Sequence, residues 1–295
     1  MKILVSGASG FLGQNIVADL VSKGHDVTPL VRSRKAHGVY WDPVAGVLDP
    51  ANVNGADAVI HLAGESVAER WSAEKKARIL SSRVAGTSLI AATIAGLPKP
   101  PKVFLSASAI GYYGERGSEI LTEDSPAGTN FLSQVCLQWE AATERARLAG
   151  VRTCRARFGI VLGTSGGAFP RMLAPFQLGA GGRLGTGKQY MSWIALSDTL
   201  AAINFMMSTS SLSGAINVVA PQPVTNNDFT EILAHVLHKP ALFPVPGSMA
   251  HVAFGKEMAD EVLLCSTRAL PEKLSSAGFQ FEHHGLKSAL ADMLG

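Results

Sequence analysis

Charge is scarce in this chain. Asp, Glu, Lys and Arg make up 17% of its 295 residues, and the formal net charge is only +3. No run of like charges exists, which argues against nucleic acid as a partner, because phosphate backbones are held by clustered Lys and Arg. Cysteine is also rare: Cys136, Cys154 and Cys265 are odd in number and lack metal-ligand spacing. A disulfide framework is therefore not expected, and the three read as buried thiols in a reducing compartment. No run of about 18 apolar residues occurs, so no membrane-spanning helix is expected. The opening MKILVSGASGFLG has glycines where the apolar part of a signal peptide would lie, so a leader is not expected either. The expected location is the cytoplasm.

What is present is apolar sequence, 47% of the chain, enough to bury a large core. In the first half short apolar runs alternate with helical patterns. KILVSG, DVTPLVR, GVYW, DAVIHLAG, KVFLSAS and VRTCRARFGIV read as strands. Helices are predicted over 11–23, from Ser72 to Gly96, and from Phe131 to Leu148. Ser72 fits an N-cap, with Glu74 in the positive first turn. Continuous apolar strands linked by helices imply parallel pairing. The expected fold is α/β, a Rossmann-type doubly wound parallel sheet with a smaller C-terminal lobe. The Rossmann part is expected over 1–163 with returning segments near 190–220, and the lobe over 164–189 and 221–295. Texture changes near Gly163, where GTSGGAFPRML and QLGAGGRLGTGKQYMSWI are rich in glycine.

In VSGASGFLG, Gly7, Gly10 and Gly13 stand between a strand and a helix. Glycines there allow a tight turn and close backbone approach, and the helix start offers free N–H groups to a pyrophosphate. Ser9, Phe11 and Leu12 belong to the same loop. Nineteen residues past Gly13 stands Arg32, followed by Ser33, Arg34 and Lys35, with no carboxylate at that strand end. Arg suits a 2′-phosphate where an acid would suit a free ribose, so NADP(H) is the expected cofactor.

Taken together these stretches resemble the extended short-chain dehydrogenase/reductase superfamily. GASGFLG is similar to its glycine loop, and HLAGE (His61–Glu65) to the strand under the cofactor ribose. SRVAGTSLI is similar to its N-V-x-G-T helix with Arg83 in the Asn place, and LSASAIGYYG to its serine strand. FPRMLAPFQLGAGGRLGTGKQYMSWI and RALPEKLSSAGF narrow the resemblance to the atypical epimerase family proteins of the YfcH type, over essentially the whole chain. That resemblance implies bound NADP(H), contacts from Leu62, Ala63, Gly64, Glu65 and Arg83, and Ser108 at the catalytic serine place. It implies no established substrate.

The superfamily's catalytic Tyr, with Lys four residues later, is missing. If Glu140 marks the helix acid, those places fall near Phe131 or Leu132 and Val135 or Cys136. Ser108, Tyr112 and Tyr113 are the remaining candidates for proton chemistry, because they sit at the strand end where open α/β sheets bind ligands. Lys188 and Arg157 are substrate-side candidates, and Glu65 with Arg83 suggests a charge pair. The histidines do not gather, no metal motif occurs, and GTSGG lacks the spacing of a serine nucleophile. Two functions remain open. One is an NADP(H)-dependent oxidoreductase or nucleoside-sugar-epimerase-like enzyme on an unidentified small molecule. The other is a non-catalytic NADP(H)-sensing interaction protein with a regulatory role, for example in cell or organelle division. Neither nucleic acid nor membrane is expected as a partner; a second copy of the chain, forming a homodimer, is.

Overall fold

The computed structural model describes residues 1–295. Eight strands form one sheet: β1 (Lys2–Ser6), β2 (Asp26–Val31), β3 (Val39–Asp42), β4 (Val47–Leu48), β5 (Ala58–His61), β6 (Val103–Ala109), β7 (Arg152–Phe158) and β8 (Gly214–Val218). Their order is β8-β7-β6-β5-β1-β2-β3-β4. All neighbours pair in parallel except β3 with β4. The order reverses between β1 and β5, the crevice where doubly wound sheets hold ligands.

Each sheet face is covered because alternate residues on a strand point opposite ways. Ile3, Val5, Ile60 and Leu105 face α1 (Phe11–Ser22) and, further along the chain, the helix Leu196–Ser208, through Ile16, Leu20, Ile203 and Met206. Leu4, Val59 and Phe104 face the long helix α2 (Ala73–Ala95) through Ile90 and Ile94. Ser72 caps α2 by accepting a hydrogen bond from Lys75 N. The helix expected over 131–148 is two, α3 (Phe131–Ala141) and α4 (Glu144–Leu148). The break falls where Thr143 N and Oγ1 both bond to Glu140 O, tightening the turn.

The glycine-rich segment and the chain after β8 build a second cluster around Phe169, Phe176, Trp193, Leu233 and Leu290. The C-terminal part is not wholly separate: Leu274, Phe279 and Phe281 return to the main core beside Leu212 and Ile216. The lobe expected over 221–295 is therefore stitched into the Rossmann body. No helix of the protein is long and apolar enough to cross a membrane.

Candidate functional site

At the β1–α1 turn Gly7 adopts φ +71°, and a Cβ there would lie 2.8 Å from Ala63 N and 2.9 Å from Leu62 C. A Cβ at Gly13 would lie 2.1 Å from Gly7 O, so the first turn of α1 rests on the loop. Gly10 N donates to Gly7 O at 3.0 Å, and no side chain caps the start of α1. The helix N–H groups are thus left for an anion, with the positive dipole end behind them. Gly163, Gly166 and Gly167 give the Phe11 ring its space, since a Cβ at any of them would come within 2.9 Å of it. The glycine-rich segment is therefore pressed against the phosphate loop.

Beside this cradle Arg32, Ser33 and Arg34 follow β2 as exposed residues. Arg32 has no ion pair, while Arg34 lies over the Tyr40 ring at 4.1 Å. Leu62, Ala63 and Gly64 run from the end of β5 past Gly7, and Arg83 crowds Gly64. The suggested Glu65–Arg83 charge pair does not form. Arg83 Nη1 instead donates to the carbonyls of Glu65 (2.9 Å) and Ile79 (3.0 Å), and its guanidinium lies 5.0 Å from the Trp139 ring centroid. The Glu65 carboxylate pairs with Lys75 at 2.7 Å, which holds its pKa below the ordinary carboxylate range. His61, fully buried, contacts Ser6 Oγ through Nδ1 at 2.5 Å. Burial, aided by the charge of Arg83, lowers its pKa to about 3, so the ring is neutral.

The β6 end carries a buried polar network that sequence reasoning missed. Ser108 Oγ donates to Glu140 Oε1 at 2.7 Å. Arg157, on β7 directly opposite Ser108, grips the same carboxylate through Nε (2.8 Å) and Nη2 (3.0 Å). Arg157 Nη1 also donates to Tyr113 Oη at 2.9 Å and to the Glu123 carbonyl at 3.3 Å. Tyr113 Oη donates to Asn217 Oδ1 at 2.7 Å. Burial opposes the Arg157 charge, and Glu140 more than offsets that, holding the guanidinium above its ordinary range. Tyr113 is completely buried, and burial pushes its phenol up to about 12 despite Arg157.

Extended backbone would turn the two tyrosines to opposite sides, but Ile110–Tyr113 is a 3₁₀ turn. Both rings therefore approach Arg157, Tyr112 with its face 3.4 Å from the guanidinium carbon. The Tyr112 hydroxyl makes no hydrogen bond within the chain, and Tyr112 lines a cleft of about 530 Å³ together with Glu140 and Arg157. Lys188 stands exposed on a loop with no ion pair. The places where the dyad is missing, Phe131 or Leu132 and Val135 or Cys136, lie on α3. Burial raises the Cys136 thiol to about 12, so it is no thiolate. Glu261, from the C-terminal lobe, accepts hydrogen bonds from Phe131 N (3.1 Å) and Leu132 N (2.8 Å) at the start of α3. No signal in the sequence announces that contact. No group of three or more His, Cys, Asp or Glu is placed to hold a metal ion.

The sequence pattern of the NAD dependent epimerase/dehydratase family matches residues 3–219. The chain belongs to that family. A domain of unknown function, DUF1731, matches residues 245–293. Among relatives of this epimerase family, an epimerase family protein of Mycobacterium tuberculosis is 39% identical over 98% of this chain and 96% of its own. The crystal structure of human epimerase family protein SDR39U1 with NADPH superposes with a TM-score of 0.90 at 31% identity, covering 99% of both chains. A nucleoside-diphosphate sugar epimerase from Corynebacterium glutamicum superposes with a TM-score of 0.83 at 34% identity. That match covers all of this chain and 58% of the other. Within the family this chain is an atypical short-chain dehydrogenase/reductase, since neither Phe131 nor Leu132 is Tyr and neither Val135 nor Cys136 is Lys.

Proposed function

We propose that the chain binds NADP(H) and transfers hydride to or from a small carbonyl, alcohol or sugar-like substrate in the cytoplasm. The phosphate cradle carries this reading: Gly7 and Gly13 close the turn, the start of α1 is uncapped, and Arg32 stands free beside it. The human relative, 31% identical, was crystallised with NADPH. When bound, the nicotinamide cofactor supplies the hydride chemistry. The chain's own residues do the rest. The loop amides hold the pyrophosphate, Arg32 and Arg34 meet the 2′-phosphate, and Leu62–Gly64 bound the ribose. Ser108 has its proton committed to Glu140, so its oxygen is set to accept a hydrogen bond from a substrate hydroxyl. Tyr112, whose hydroxyl is free, is the proton donor of this proposal, while Tyr113 is held by Arg157 and Asn217.

Titration with NADPH and NADH tests the cofactor choice. A charge-assisted contact is worth roughly 1.5–3 kcal/mol, so NADPH should bind about 10- to 100-fold tighter. Arg32→Ala with Arg34→Ala should erase the preference, and a preference that survives both changes would sink the assignment. A metabolite panel followed by nicotinamide absorbance then looks for turnover, with Ser108→Ala and Tyr112→Phe slowing it without loss of NADPH affinity.

One observation favours a second reading, a cofactor-sensing protein without turnover. The hydroxyls of Ser108 and Tyr113 are both engaged in an internal network, and the start of α3 supplies no Tyr–Lys pair. It predicts nucleotide binding with no turnover across the panel, and partner capture that depends on the NADPH/NADP⁺ ratio. Sedimentation velocity tests the homodimer that belongs to both readings.

A further inference from the structure

The 530 Å³ cleft runs between α3–α4, the edge strand β8 with its neighbour β7, and the helix Glu272–Ser276. Its upper end is the Glu140–Arg157 pair and Tyr112. Its other end is formed by Arg155 and Lys273 around Gly214. Arg155 pairs across the sheet with Ser106, one layer below Ser108, so this end lies beneath the strand ends that carry the phosphate cradle. Ser108 and the glycine loop do not line the cleft.

Two cations here form no ion pair, and only longer-range attraction reaches them, from Glu144 to Arg155 and from Glu123 to Lys273. Arg155 makes no side-chain hydrogen bond or ion pair, and its Nε is buried without a partner. Lys273 Nζ is likewise unpaired. Both converge on one point: a Cβ at Gly214 would stand 3.5 Å from Arg155 Nη2 and 3.6 Å from Lys273 Nζ. Like charges brought together over a missing side chain repel one another, and an oxyanion seated between them would relieve that. The nearby carboxylates are largely engaged elsewhere. Glu144 pairs with Arg147, and Glu123 Oε1 accepts from Asn217 N and Lys273 N. Glu123 is 7% exposed, its Oε2 has no partner, and burial raises its pKa. Asp124, exposed, lines the same cleft as a further acceptor.

We propose that the Arg155–Lys273 end of this cleft, away from Tyr112, is a second ligand site, separate from the dinucleotide site. It takes a small carboxylate or phosphate ester that also carries hydroxyl or amino donors. Arg155 and Lys273 hold the anionic end, and Glu123 with Asp124 receives the donors. Two probes separate the anion types, malate for carboxylate and glycerol 3-phosphate for phosphate, with inorganic phosphate as the bare anion.

The test is calorimetric titration of protein saturated with NADPH, so that the dinucleotide cradle is already filled. At least one donor-bearing probe should bind with millimolar affinity or better, and more tightly than inorganic phosphate. Lys273→Gln, on the cleft rim, should weaken it by about tenfold, the worth of one charge-assisted contact. Arg155→Gln should do the same wherever its melting curve shows it folded. NADPH affinity should not change in either variant. Absence of binding by all three probes at about 10 mM, or binding that Lys273→Gln leaves unchanged, overturns the proposal.

Discussion

Replacing Glu140 by alanine tests the buried network most directly. Its carboxylate receives two bonds from Arg157 and one from Ser108, and the Arg157 and Glu140 side chains are only 4% and 6% exposed. Removing it leaves a guanidinium in the core with only Tyr113 and a carbonyl as hydrogen-bond partners, beside the Tyr112 ring. Breaking one side of a buried pair costs about 3–5 kcal/mol, because the remaining charge has lost its solvation and its partner. Glu140→Ala should therefore lower the urea-unfolding free energy by about that amount, a large fraction of the stability of an ordinary domain. Glu140→Leu combined with Arg157→Met removes both charges and should recover most of the loss, since apolar replacements of a buried pair are often neutral. Denaturation monitored by tryptophan fluorescence, with the slope compared across variants, supplies the numbers. The reasoning is refuted if Glu140→Ala costs under about 1 kcal/mol, or if the double variant is no more stable than the single ones.

Three other perturbations have defined outcomes. Gly13→Ala puts a methyl 2.1 Å from Gly7 O, so NADPH binding should be lost in calorimetry, with the melting temperature lowered too. The pKa of His61 falls from 6.5 unfolded to about 3 folded, so the unfolded chain takes up the proton first. Stability from this group is full above about pH 6.5 and drains as pH falls toward 3, on the order of 5 kcal/mol in all. His61→Gln should flatten the stability profile between about pH 6 and 4, and an unchanged slope would count against the buried neutral ring. Glu261→Ala strips the carboxylate from the start of α3 and should cost roughly 1 kcal/mol, read in the same urea titration.

The parts of the site that were legible in the sequence are local. Gly7, Gly10 and Gly13 lie within seven positions, and the strand, turn and helix around them leave their signature in the same window. Arg32 could be singled out as a candidate because the length of one helix and one strand fixes its distance from the loop. Ser108 was visible as part of a pattern, but its bond to Glu140 was not. The network Ser108–Glu140–Arg157–Tyr113–Asn217 joins residues more than 100 positions apart, and no spacing rule connects them. Where the rings of Tyr112 and Tyr113 point was hidden for a different reason. Adjacent residues diverge on a strand, but the 3₁₀ turn brings both rings to one guanidinium. The domain division blurred because apolar residues at 274–281 look the same whether they build their own core or complete another.

That return of the chain bears on how the protein is made. The core face beside α1 and the Leu196–Ser208 helix is finished only by Leu274, Phe279 and Phe281. At ribosomal speeds of about 5–20 residues per second, the Rossmann body waits several seconds after its last strand emerges before its final apolar cover arrives. During that interval a greasy seam next to the edge strand β8 is open to other chains. Nascent chains stalled after residue 220 should therefore recruit chaperones, and a fragment ending there should aggregate when expressed alone.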